Sequence, residues 1–193
     1  MATLQLKKGR VYRTEDFSRF DTNPTRLVSK LVGEGKLRQL RKGLYYAPRR
    51  SAFGEVPPSE DELLRACFRG RPYLRTGPGV WNALRLGTTA VDAVPLVYNR
   101  TRTGKVRLGG RRFELRRVRF PRRPTPEYFV IDLLENTERA GADLEGVGKA
   151  LTAALRAGRF DAGRLIDMAA EYGTRRTQEV VRSSLPDDQR APA

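Results

Sequence analysis

An α+β fold is predicted: an N-terminal winged helix-turn-helix, followed by a mixed domain with an antiparallel basic β-ribbon and C-terminal helices. Three observations predict it. Residues 23–48 read as a capped amphipathic helix, a glycine stop and a basic two-stranded hairpin. Residues 105–120 alternate apolar and cationic side chains on either side of Gly109 and Gly110, a strong hairpin turn. From Glu127 onward the apolar spacing becomes helical.

In chain order, Thr14 is placed to cap a short helix over TEDFSRF, with Glu15 and Asp16 in its first turn, where the helix dipole favours acid. A tight turn over residues 21–23 leads into the second helix. Asn23 is a good N-cap and Pro24 suits the first helical position. At about 100° per residue, Leu27, Val28, Leu31 and Val32 gather on one side. Arg26, Ser29, Lys30 and Gly33 fall on the other, and Thr25 belongs with the recognition-helix set. Gly33 and Gly35 end the helix. Residues 36–42 and 44–47 then form two short strands around Gly43, with cations at Lys36, Arg38, Arg41 and Lys42.

Two helices joined so closely are the helix-turn-helix signature, in which the second helix enters the major groove. Arg and Lys are the side chains that read guanine there, and Ser reads several bases. The wing cations suit phosphates. A helix with a cationic outer face can also be no more than a solvated helix. The upstream helix and the basic hairpin together favour duplex DNA.

The charge distribution agrees. Over 193 residues the net charge is +16, and it is concentrated in blocks. Residues 1–50 carry 13 cations and 4 acids; residues 51–99 carry 5 of each. Residues 100–126 carry 11 cations and 1 acid, and residues 127–193 carry 9 and 12. Two basic blocks therefore flank a neutral segment, and such concentration implies a polyanionic partner. Histidine is absent and Cys67 is the single cysteine. That composition excludes a Ser-His-Asp or Cys-His catalytic set, a zinc site of the usual Cys/His kind and an internal disulfide. Cys67 reads as a small core residue. The N-terminus lacks a signal-peptide core and no apolar run is long enough to span a bilayer, so a cytoplasmic protein without membrane contact is expected.

Residues 1–50 make the DNA-binding domain and residues 51–58, with Gly54, Pro57 and Pro58, read as a linker. An α+β domain follows over residues 59–185, and residues 186–193 read as a disordered tail. Ser59 and Glu62 form a capping box for a helix through Phe68. A strand at residues 73–75 precedes a turn and short helix at 76–87, where Trp81 and Leu84 pair as core. Residues 94–98 are a strand candidate. After Phe113 and Leu115 the apolar phase slips to Val118 and Phe120, so a bulge near Arg116 and Arg117 is expected. Helices are expected at 128–136, 144–155, 161–172 and 174–182.

The second basic block admits several roles. Arg102, Lys105, Arg107, Arg111, Arg112, Arg116, Arg117 and Arg119 could extend a DNA footprint through phosphates. They could also form a solvated sheet face, hold RNA or meet an acidic protein. The last two define the alternative to a DNA-binding regulator, a non-catalytic interaction module. The nearest approach to a metal-dependent nuclease is Asp92 with Glu114 and Arg116. Its spacing is loose, Arg replaces the usual Lys, and no second carboxylate lies near Glu114. No phosphate-cradling glycine loop is present. Neither an enzyme nor a cofactor or metal requirement is expected.

The opening GRVYRTEDFSRFDTNPTRLVSKLVGEGKLRQLRKGLYYAP resembles the N-terminal winged helix of AbiEi-type antitoxins of bacterial type IV toxin–antitoxin systems. The following YLRTGPGVWNALRLGTTAVDAVPLVY looks like the start of that family's second domain. The resemblance implies a repressor that binds inverted repeats in its own promoter and opposes a nucleotidyltransferase-type toxin. It assigns DNA reading to Arg26, Ser29 and Lys30, with Arg38, Arg41 and Lys42 as wing contacts. A two-fold operator would bring two copies together on DNA.

Overall fold

In the computed structural model, which describes residues 4–186, the apolar residues of the N-terminal stretch converge on one core. Phe17, Val28, Leu31, Leu37 and Ala47 are buried together, with Leu27, Val32 and Tyr45 packed against them. The elements follow in order: strand β1 (Val11–Arg13), a 3₁₀ turn (Thr14–Phe17), helix α1 (Pro24–Gly33), and strands β2 (Arg38–Arg41) and β3 (Leu44–Tyr46). The three strands pair antiparallel in the order β1-β3-β2, Tyr46 lying opposite both Val11 and Arg38. Thr14 does not cap the first turn. The cap position falls on Arg13, whose backbone N–H donates to Asp16 Oδ2 at 2.8 Å. Arg13 is already extended as the last residue of β1, and a tight 3₁₀ turn makes the exit in four residues. Asn23 does cap α1, its Oδ1 accepting the Arg26 N–H at 3.1 Å.

The expected linker at 51–58 is instead mostly folded. Strands β4 (Arg49–Ser51) and β5 (Gly54–Val56) form an antiparallel hairpin. Gly54 takes φ +106° at the turn, and Pro57 and Pro58 lie just past the second strand, where no ladder N–H is needed. Helix α2 (Glu60–Phe68) is capped by Ser59 as expected, but Glu62 does not complete the box. Its Oε2 accepts the Val11 N–H at 3.0 Å, and Arg65 bonds both Glu62 and the Val11 carbonyl. These bonds join α2 to β1 rather than to a later domain. The chain accordingly divides into one unit of Met1–Tyr73 with Lys105–Phe113, and another of Leu74–Gly104 with Glu114–Ala193.

The remaining elements are β6 (Tyr73–Thr76), α3 (Pro78–Ala83), β7 (Leu96–Asn99), β8 (Gly104–Leu108), β9 (Arg111–Arg117), α4 (Pro126–Leu134), α5 (Leu144–Arg156), α6 (Ala162–Tyr172) and α7 (Arg175–Ser184). Their strands are ordered β6-β7-β9-β8. The ribbon about Gly109 and Gly110 forms, and β9 additionally pairs parallel with β7, Leu96 opposite Glu114. Every residue of β7 is buried, as befits a strand flanked on both edges. The expected bulge is not needed. β9 ends at Arg117, Val118 is 36% exposed, and Phe120 returns to the core beyond the strand.

Helix α4 is buried on nearly every side, from Tyr128 to Leu134, and packs on α6, while α7 packs on both α5 and α6. Thr125, Asp143, Asp161 and Thr174 each cap the helix they precede. Cys67 is buried in α2. From residue 187 the expected tail lies outside the described residues.

Gly77, between β6 and α3, combines φ +118° with a close approach: a Cβ there would stand 2.6 Å from Asp92 Oδ2. Gly77→Ala is therefore expected to lower stability by about 1–3 kcal/mol, read as a lower denaturation midpoint at unchanged slope.

Candidate nucleic-acid interface

Helix α1 buries Val28 and Leu31 and leaves Thr25, Arg26, Ser29 and Lys30 exposed. The bend that follows is closed by the Lys36 and Leu37 N–H groups, both donating to the Leu31 carbonyl at 2.9 and 3.1 Å. It delivers the chain directly into β2. On the β2–β3 hairpin Arg38, Arg41 and Lys42 are exposed, and Gly43 takes φ +77° at the turn. Apolar residues thus hold the helix and hairpin on one core while their cations face outward.

Those cations are not equally available. Lys36 Nζ lies 2.8 Å from Glu34 and Lys30 Nζ 3.9 Å from the same residue. The Glu34 pKa is pulled below the usual carboxylate range, chiefly by its hydrogen bond from Lys36. Arg38 is paired with Glu55 of β5 at 2.9 Å. Among the described residues Arg26, Arg41 and Lys42 have no carboxylate at ion-pair distance, so their charge faces solvent uncompensated.

The second basic block does not form one patch within one unit. Lys105, Arg107, Arg111 and Arg112 belong to the first unit, whereas Arg102, Arg116, Arg117 and Arg119 belong to the second. The expected two-faced pattern does hold along β9: Phe113 and Leu115 are buried while Arg112 and Arg117 are exposed. Among the described residues Arg111 pairs with Glu60 at 3.1 Å, Arg116 with Glu114 at 2.8 Å and Arg119 with Glu171 at 3.8 Å. Arg116 also donates to Asn136 Oδ1 at 3.0 Å, so its half-exposed guanidinium is held by two side chains of the second unit.

Asp92 and Glu114 are drawn to one guanidinium rather than around an open site. Arg139 stands between them, 2.9 Å from Asp92 Oδ1 and 2.7 Å from Glu114 Oε2, and also donates to the Val94 carbonyl. Hydrogen bonding from Arg139, reinforced by Arg116, holds the Glu114 carboxyl below its ordinary pKa. A guanidinium, and not open space, thus lies between the two carboxylates. Among the described residues no group of three or more His, Cys, Asp or Glu side chains could bind one.

Sequence reasoning missed Arg139, which lies in an irregular turn far from both carboxylates in the chain. It also missed Asp132, treated only as part of a helix. The one available signal was polarity: Asp132 is a lone acid between Ile131 and Leu133 within a helix otherwise apolar from Tyr128 to Leu134.

No family model matches the chain, and no curated protein matches it significantly. Among the described residues no helix is long and apolar enough to cross a membrane.

Proposed function

We propose that this chain is a sequence-specific, non-catalytic duplex-DNA-binding repressor whose first unit works as a winged helix-turn-helix. In this reading α1 is the recognition helix and the β2–β3 hairpin is the wing. The observation that carries it is the pairing of two exposed cationic elements on one small core: Arg26, Ser29 and Lys30 on α1, then Arg41 and Lys42 on the hairpin that follows. A helix can read base edges while an adjacent ribbon grips phosphate. The resemblance to AbiEi-type antitoxins supports a narrower proposal, that the repressor is the autoregulating antitoxin of a type IV toxin–antitoxin pair in the cytoplasm.

A gel-shift titration on the gene's own upstream DNA against a scrambled duplex, at two salt concentrations, tests the DNA reading. A preference of about 10³-fold or more is expected. Equal, steeply salt-sensitive binding to both duplexes would overturn it and turn the search to RNA or an acidic protein. The narrower proposal predicts a nucleotidyltransferase-like reading frame next to the gene, toxic alone and harmless when co-expressed with this chain.

A further inference from the structure

We propose that the β4–β5 hairpin is a second contact on duplex DNA, with Phe53 wedging into the minor groove and Arg49 and Arg50 on the flanking phosphates. This rests on the DNA-binding reading above and extends it to a segment the sequence disguises as a linker.

Phe53 sits at the hairpin tip and is 102% exposed, the most exposed large apolar side chain among the described residues. The tip is not slack. Ser51 Oγ accepts the Phe53 N–H at 3.3 Å and donates to the Gly54 carbonyl at 3.2 Å, so one hydroxyl closes the turn from both sides. The base is anchored as well. Arg38 of β2 is paired with Glu55 of β5 at 2.9 Å, and the Tyr46 hydroxyl of β3 donates to the Val56 carbonyl. Both anchors fix the hairpin on the sheet that carries the proposed wing. Arg50 and Glu55 line the same cleft as Lys36 and Arg38, which places the hairpin beside the proposed wing.

Charge selects the partner. Glu55 is the hairpin's only acid and is paired with Arg38. Arg49 and Arg50 are exposed, with no carboxylate partner among the described residues. A protein-docking patch would need further exposed apolar surface around the ring. No other large apolar side chain of this unit is exposed among the described residues. A single aromatic flanked by arginines is instead what minor-groove proteins insert between base steps, while their cations follow the backbone.

The test uses the full chain and short duplexes tiling the DNA upstream of its gene. Phe53→Ala is expected to weaken binding to the preferred duplex by about tenfold or more, with the fold unaffected because the ring touches nothing that is buried. Phe53→Trp gives a direct readout. The chain's only tryptophan, Trp81, is 0% exposed, so a new indole at the tip is readable against the wild-type baseline. Its fluorescence is expected to fall, and its acrylamide quenching to diminish, when the duplex is added. Arg49→Ala with Arg50→Ala should flatten the salt slope by about two counterions.

If Phe53→Ala binds like the wild type while Arg26→Ala is weakened, the wedge is wrong and the DNA reading stands. If Phe53→Ala leaves binding intact and changes the sedimenting mass, the ring is a protein contact and the wedge is wrong. If the wild type prefers no tile over scrambled duplex, both readings fall.

Discussion

Arg26→Ala is expected to cost about 1–3 kcal/mol of affinity for the preferred duplex and to relax specificity at one base position. Arg26 is exposed in the first turn of α1, while the opposite face is fixed by Val28 and Leu31 in the core. No carboxylate competes for its guanidinium among the described residues, so both of its donor edges are available to a guanine. Lys30 shares its helix face but has Glu34 at 3.9 Å, so Lys30→Ala should cost less. Arg41→Ala makes the contrast: a wing cation on phosphate loses affinity for all sequences alike and lowers the salt slope by about one. Titrations of each variant on preferred and scrambled duplexes, at two salt concentrations, separate the two kinds of loss. Equal loss on both duplexes for Arg26→Ala and Arg41→Ala would remove α1 from the reading role.

Local chemistry made much of this fold legible. Asn23 and Pro24 start α1 where their types require, Gly43 turns the hairpin, and four C-terminal helices begin at Thr or Asp caps. What stayed hidden depends on partners distant in sequence. Glu62 satisfies the local capping pattern, yet a backbone N–H 51 residues away takes its carboxylate. The β4–β5 hairpin was hidden by Pro57 and Pro58, which end a strand but also mark a linker. The parallel pairing of β7 with β9 leaves no trace in the alternation of either strand. The proposed interface was readable because it is local: α1 and the β2–β3 hairpin span about two dozen consecutive residues. The ion pairs that grade its cations, with Glu34 and Glu55, come from the fold.

The largest stability loss is expected at Asp132, which is 5% exposed on α4. Its Oδ2 accepts the Trp81 indole N–H at 2.8 Å and the Thr76 hydroxyl, and both donors are themselves buried. Asn136, one turn on, ties the same group to the Tyr98 hydroxyl at 3.0 Å and, through Arg116, to β9. Asp132→Leu leaves the indole and hydroxyl donors in apolar surroundings without an acceptor. At about 1–3 kcal/mol for each buried orphan, a total loss near 3–5 kcal/mol is expected. Asp132→Asn keeps one acceptor oxygen and should lose less. Burial raises the Asp132 pKa above its ordinary value, against hydrogen bonds from Thr76, Tyr98 and Trp81 and the charge of Arg116, which lower it. The folded chain therefore holds this proton more tightly than the unfolded chain. The resulting stability is fully present below the ordinary carboxylate pKa and is lost as pH rises towards the raised one. Glu114, shifted the other way, is common to the wild type and Asp132→Asn and cancels from their difference. The wild type's advantage over Asp132→Asn should accordingly be greatest in acid and shrink towards neutrality. Thermal or denaturant midpoints of the two proteins across that range check it, and an advantage that grows with pH would mean Asp132 is ionised in the fold.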